Sequence, residues 1–169
     1  MKLFKVFGLF IILTTFSSTG FSVGIRAIAI SPDEKITVCG GDNFAFYVID
    51  NESGNVIERI RVEGGYGSVS NLWFSKDGSK LWYSGSGKLV LFDTKNWTRI
   101  KTLDNCDKVA LSNDRTRILS LFKRKKVFSL IDTKTGSVMS SFTHQLEKDI
   151  SNFHFSSSNK TILTIHSAV

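Results

Sequence analysis

Proline occurs once in this chain, cysteine and methionine twice each, and histidine three times. After residue 24 no stretch carries a convincing amphipathic helical pattern. The 13 glycines and 14 phenylalanines, set among abundant Ile, Val, Ser and Thr, point instead to strands joined by tight turns. His144, His154 and His166 lack the close spacing of a zinc motif, which leaves only a composite site assembled across structural units. Neither a nucleophile motif nor a paired acid and base is present, so hydrolysis has no support in the sequence. No catalytic residue, metal ligand or cofactor is therefore expected. Gly64-Gly65-Tyr66-Gly67 is no dinucleotide loop, because no helix follows it to receive a phosphate. Gly85-Ser86-Gly87-Lys88 lacks P-loop spacing and reads as a hairpin turn. The chain holds no specific nucleic-acid signal.

What is present starts with the N-terminus. Lys2 and Lys5 precede an almost unbroken apolar run from Val6 to Phe16, and small residues follow around Gly20 and Ser22. That is the pattern of a secretory signal peptide over residues 1–22, and the run is short for a bilayer-spanning helix, which needs ~20 apolar residues. An uncleaved anchor is the other reading. No cysteine lies near the expected cut, so lipid attachment there is unsupported, and no transmembrane span is expected further on. The expected location is secreted, periplasmic or extracellular. With 41% apolar and 22% charged residues, the remainder has the composition of a globular domain. Its net charge of +7 falls to +5 without Lys2 and Lys5, which fits either a solvated surface or contact with anionic surfaces or polymers.

The sequence then repeats itself. KVFSLIDTKTGSV at Lys126 to Val138 has relatives in FAFYVIDNESGNV at Phe44 to Val56 and KLVLFDTKNWTRI at Lys88 to Ile100. Asp50, Asp93 and Asp132, at the ends of these strands, are spaced 43 and 39 residues apart. Ser31, Ser75, Ser112 and Ser156 close another recurring strand at spacings of 44, 37 and 44. An apolar residue precedes each serine (Ile30, Phe74, Leu111, Phe155), and another stands two residues earlier (Ile28, Leu72, Val109, Phe153). A period of about 40 residues containing four short strands is the pattern of a β-propeller blade. The expected fold is all-β: a propeller-repeat domain over residues 23–169, with blades at about 24–65, 66–105 and 106–146 and a partial fourth at 147–169. Closed propellers typically have four to eight blades, so an incomplete or open propeller is expected, with self-association or completion by another chain. Cys39 and Cys106 fall two blades apart, an awkward geometry for a bridge. Both are expected to be unpaired, Cys39 as core filler and Cys106 in a loop.

SKDGSKLWY at Ser75 to Tyr83 and KVFSLIDTKTGSV resemble the YVTN-type β-propeller repeat and, more broadly, the WD repeat. No Gly-His dipeptide opens a blade, and Ile49-Asp50, Phe92-Asp93 and Ile131-Asp132 stand where Trp-Asp would be in a WD repeat. The resemblance thus implies an exported relative rather than an intracellular WD scaffold. The recurrent aspartates are expected to accept N–H groups of the turn that follows them, and Gly54 and Gly136 to occupy turn positions with positive φ.

One end of the blades carries the candidate site. Lys123, Arg124, Lys125 and Lys126 form the densest charge cluster, read either as a solvated hairpin tip or as a contact for phosphate, acidic polysaccharide or acidic protein. Tyr66, in the glycine-rich link on the same expected face, would stack on a sugar or peptide. These five residues are the candidate ligand-binding set, on a face that also includes residues 104–108 and 143–149. The sequons at Asn51, Asn96 and Asn159 fall in turns at the opposite end, and they have meaning only in a eukaryotic secretory pathway. The functional expectation is an exported, non-catalytic propeller-repeat protein that binds a protein, ligand or anionic polymer. The alternative is a truncated or split propeller enzyme domain, lactonase-like or quinoprotein-type.

Overall fold

Runs of β-branched and aromatic residues, cut every few residues by polar turns, form four sheets in this computed structural model. It describes residues 24–42, 44–62, 68–122, 126–143 and 150–166. The first sheet holds β1 (Ile25–Ile30), β2 (Ile36–Gly41), β3 (Ala45–Asp50) and β4 (Val56–Arg61) in that order. The second holds β5 (Asn71–Phe74), β6 (Lys80–Gly85), β7 (Lys88–Asp93) and β8 (Arg99–Asp104). In the third lie β9 (Lys108–Leu111), β10 (Arg117–Phe122), β11 (Val127–Asp132) and β12 (Val138–Thr143). A fourth pairs only β13 (Ile150–Phe155) with β14 (Ile162–His166). The protein is all-β and of the propeller-blade type, with three complete blades and the first two strands of a fourth among the described residues.

Packing separates the chain into two compact units. One contains the described residues up to Phe74 together with Tyr83–Ser86; the other contains Ser75–Trp82 and the described residues from Gly87 onward. Within the first unit β1 lies beside β5, and within the second β9 lies beside β13, so first strands neighbour one another. Second and third strands supply most of the core: β2, β6 and β10 are buried along nearly their whole length. Fourth strands are the most exposed, with β8 half-covered at Lys101, Thr102 and Leu103. The alternation along β4 yields a strand exposed on both sides, with only Ile60 partly covered, and β12 is exposed throughout.

The serine that closes each first strand anchors the next turn. Its hydroxyl donates to the aspartate two residues on, Ser31 to Asp33 at 2.6 Å, Ser75 to Asp77 at 2.7 Å and Ser112 to Asp114 at 2.6 Å. It also accepts the backbone N–H five residues on, from Ile36, Lys80 and Arg117 at 2.9, 3.1 and 2.9 Å. The aspartate in turn accepts an N–H from Lys35, Ser79 or Thr116. Three of the four serines, Ser31, Ser75 and Ser112, are buried, so each bond replaces one that water cannot supply. The residue three after the serine has positive φ in all four copies: Glu34, Gly78, Arg115 and Asn159. In the fourth copy Ser158 stands in place of the aspartate, and its hydroxyl lies 3.3 Å from that of Ser156.

A second connection ties the far hairpin to that turn. The residue after each recurrent aspartate, Asn51, Thr94 or Thr133, donates its backbone N–H to the carbonyl of Lys35, Ser79 or Thr116. Its side chain donates to the preceding carbonyl, Asn51 Nδ2 to Glu34 at 2.6 Å, Thr94 Oγ1 to Gly78 at 2.8 Å and Thr133 Oγ1 to Arg115 at 2.8 Å. Two turns whose tied residues stand 16 to 18 positions apart are thereby closed against each other.

Within the second unit the Thr133 region also meets the residues that precede it. Trp82, fully buried, donates its indole Nε1–H to the Thr133 carbonyl at 2.8 Å, and Lys101 Nζ donates to the Gly136 carbonyl at 2.7 Å. Gly136 has φ +70°, and a methyl there would stand 2.9 Å from Leu91 Cδ2. Both conformation and space therefore call for glycine. The expected hairpin at Ser86-Gly87 has positive φ at both residues, the signature of a type I′ turn.

Ser112→Ala leaves the Arg117 amide without its acceptor in a covered place, so it should lower unfolding free energy by about 1–3 kcal/mol in urea. Ser156→Ala, in the fourth copy without its aspartate, should cost under about 1 kcal/mol. Equal losses in the two variants would show that the serine turn does not anchor the blade.

Candidate functional site

The recurrent third-strand aspartates are engaged by their own turns. Asp50 Oδ1 accepts the backbone N–H and the hydroxyl of Ser53, both at 2.7 Å. Asp132 Oδ1 accepts the N–H groups of Lys134 and Thr135 at 3.0 and 2.7 Å and the Thr135 hydroxyl at 2.9 Å. Asp93 divides its oxygens: Oδ1 accepts the Lys95 N–H at 2.9 Å, and Oδ2 forms a 2.7 Å ion pair with Lys80. Each carboxyl is held below the usual carboxylate range, Asp50 and Asp132 chiefly by backbone donors and Asp93 chiefly by Lys80. The expectation that these residues cap turns is met. Gly54 and Gly136 have the expected positive φ, while the second blade puts Trp97 at that position with φ 55°.

The aspartates of the serine turns behave alike. Hydrogen bonding to the partner serine is the largest cause lowering Asp33, Asp77 and Asp114, and it takes Asp114 down to about 2. Such carboxylates are fixed anions at neutral pH, unsuited to take up or release a proton there.

Both cysteines are free and buried. Cys39 belongs to the core, as expected, and Cys106 lies in the link after β8 but is covered rather than exposed. Burial pushes the Cys39 thiol up to about 11; burial together with the Asp107 charge pushes Cys106 up to about 12. Neither presents a thiolate at neutral pH.

Of the candidate ligand-binding set, Lys126 is described: it is exposed and has φ 50° at the start of the β11 hairpin. Tyr66, Lys123, Arg124 and Lys125 lie outside the described residues, as do residues 144–149 of the expected face. Within the second unit, the described part of this end carries both signs of charge. Lys88 stands 3.8 Å from Asp104, the Asp107 N–H donates to the Leu121 carbonyl at 3.0 Å, and Lys108 Nζ donates to the Ser151 carbonyl.

His154 and His166 sit on paired strands but at different levels, His154 opposite Leu163 and His166 opposite Ile150; His144 is outside the described residues. Among the described residues no group of three or more His, Cys, Asp or Glu is placed to hold a metal ion. No described helix is long and apolar enough to cross a membrane. The sequon asparagines are used in turns: Asn51 Nδ2 donates to Glu34, Asn96 Oδ1 accepts from Thr98, and Asn159 Oδ1 accepts the Asn113 N–H at 2.8 Å.

No family model matches this sequence, and no curated protein does. Among solved structures the chain resembles Kuenenia stuttgartiensis hydrazine synthase, a β-propeller-containing protein, with a TM-score of 0.65 and 17% sequence identity. The match covers 84% of this chain and 43% of that one, so this chain spans under half of the neighbour's length. With 1240 solved chains matching, the likeness marks a common architecture and shows the fold alone.

Asp114 supplies a pH test. Its folded value of about 2 lies below its ordinary 3.8, so its stabilisation is complete above about pH 4 and is lost as pH falls toward 2. Because the carboxylate is exposed, the effect should stay below about 1 kcal/mol after solvent screening. Asp114→Asn should flatten stability against pH between about 4 and 2, followed by urea titrations at each pH. An unchanged slope would mean that the bond from Ser112 is not formed in solution.

Proposed function

We propose that this chain is an exported, non-catalytic β-propeller repeat protein that binds a macromolecular partner through the end of the blades carrying residues 63–68, 104–108, 123–126 and 143–149. The observation that carries the non-catalytic reading is the engagement of the recurrent carboxylates by their own turns. These acids hold loops and stay ionised, and the two thiols are buried in protonated form. Export rests on the basic start, apolar run and small residues of positions 1–22. We assign the blades to a YVTN-type, WD-like repeat on their serine and aspartate turn residues.

The binding end is chosen by elimination between the two ends of the blade. The opposite end is formed by the serine turns and their Asn or Thr ties, whose serine, aspartate and tie side chains bond to one another's turns. At the link end the basic run from Lys123 to Lys126 offers charge to an acidic protein or anionic polymer. The neighbour's name is that of an enzyme, but a likeness of fold carries no activity. The enzyme-domain reading has no residue constellation behind it among the described residues.

Replacing Lys123, Arg124, Lys125 and Lys126 together with serine should weaken binding to heparin, used as an anionic polymer probe, by about tenfold or more at low salt. It should also reduce the salt dependence while leaving the melting temperature unchanged. Heparin affinity equal to that of the unaltered chain would overturn the assignment of this face.

A further inference from the structure

The four copies of the first strand place apolar residues at the same three positions: six, three and one before the closing serine. In the partial blade these are Ile150, Phe153 and Phe155; the second unit buries the first two and partly covers Phe155 against the third blade. There Ile150 and Phe153 pack with Leu119, Leu121 and Phe128, with Leu130, Phe155 and Ile162 around them. The Phe128 and Phe153 rings meet edge to face at 5.1 Å, and Arg117 lies over the Phe155 ring. One blade's first strand thus closes the preceding blade's second and third strands.

The same two halves of this interface recur uncovered elsewhere in the chain. Ile25, Ile28 and Ile30 of β1 correspond to Ile150, Phe153 and Phe155, yet Ile28 is 41% exposed where Phe153 is 2% exposed. Leu163 and Ile165 of β14 correspond to Leu119 and Leu121, and they are 65% and 47% exposed where their counterparts are 0% and 4%. On the β1 side Thr37, Cys39 and Ile49 are already buried, so the free surface there is a strip along the first strand. We propose that a second copy of this chain covers these surfaces: the β1 strip of one copy docks on the β14 face of the next, continuing the interface between the third and fourth blades. This inference does not depend on the binding role proposed above.

Polar groups at the seam agree with this pairing. In the internal interface Asn113 Nδ2 donates to the carbonyls of Ser156 and Ser157, and the Asn113 N–H donates to Asn159 Oδ1, so the serine turns of consecutive blades touch. At the proposed interface the turn after β13 would bring Ser157 and Lys160 against the turn after β1, which carries Asp33 and Glu34. Charges of opposite sign then meet. The counterparts of Lys108 and Arg117 are Asn152 and Thr161, too short to repeat their hydrogen bonds, so the contact should be weaker than the internal one. A contact between two different surfaces is heterologous and propagates unless it closes into a ring.

The test uses the full chain, with Ile28→Lys altering one surface and Leu163→Lys the other. Sedimentation should show the unaltered chain gaining mass with concentration up to about 100 µM, and each lysine variant weakened by about 100-fold through a buried, unpaired charge. An equimolar mixture of the two variants should form one-to-one dimers and stop there, since each contributes one intact surface. Both positions are exposed, so melting temperatures should hold; if either variant loses its transition, Ile28→Ser and Leu163→Ser make the same comparison. A monomeric unaltered chain, a monomeric mixture, or variants that assemble as the unaltered chain does would each overturn the proposal.

Discussion

The structure depends on closing the turn end of each blade without leaving backbone groups unsatisfied. Four strands that enter and leave a small sheet bring several N–H and C=O groups into places that side chains partly shield from water, where an unmade bond costs about 1–3 kcal/mol. A buried serine meets part of this demand, because one hydroxyl both donates to an aspartate and accepts an amide. The Asn or Thr that follows the third-strand aspartate meets another part, reaching the carbonyls of the first turn. Short polar side chains at fixed positions thereby set the separation of the strands. The apolar residues of the middle strands can then pack face to face.

That constraint also decides what the recurrent acids are for. A carboxylate that accepts two or three hydrogen bonds from its own turn is stabilised as an anion and keeps its charge at neutral pH. Asp33, Asp50, Asp77, Asp114 and Asp132 are held in this way, while Asp93 takes one amide from its own turn and an ion pair from Lys80. In the reading proposed above, function is carried by surfaces: the basic run of the link end, and the apolar strips at β1 and β14.

Much of this was readable in the sequence. Serine and aspartate spacing gave the repeat, and the strands fall where the apolar runs stand between those markers. Gly54 and Gly136 announced positive φ, but Trp97 did not; Glu34 and Arg115 share the conformation of Gly78 without any compositional signal, whereas Asn159 is a residue type that tolerates it. Taken singly, Thr94 and Thr133 carry no sequence signal as ties, because threonine at a strand end is unremarkable by propensity. Their partners lie 16 and 18 residues away, and the recurrence of Asn or Thr immediately after the aspartate was the available clue. Apolar residues precede every serine alike, so pattern cannot separate the covered Phe153 from the exposed Ile28; only the presence of a neighbouring sheet does. The Trp82 bond to Thr133 is equally invisible, since it joins positions 51 residues apart.

The claim that the serine turns lock the blades is tested most directly by hydrogen exchange of single amides. The N–H groups of Lys80 and Arg117 end on buried serine hydroxyls, whereas that of Thr161 ends on Ser156 in the copy without an aspartate. The amides of Lys80 and Arg117 should exchange at least about 100-fold more slowly than that of Thr161, at rates close to those of the surrounding core strands. Exchange of all three at the rate of exposed loop amides would contradict the account.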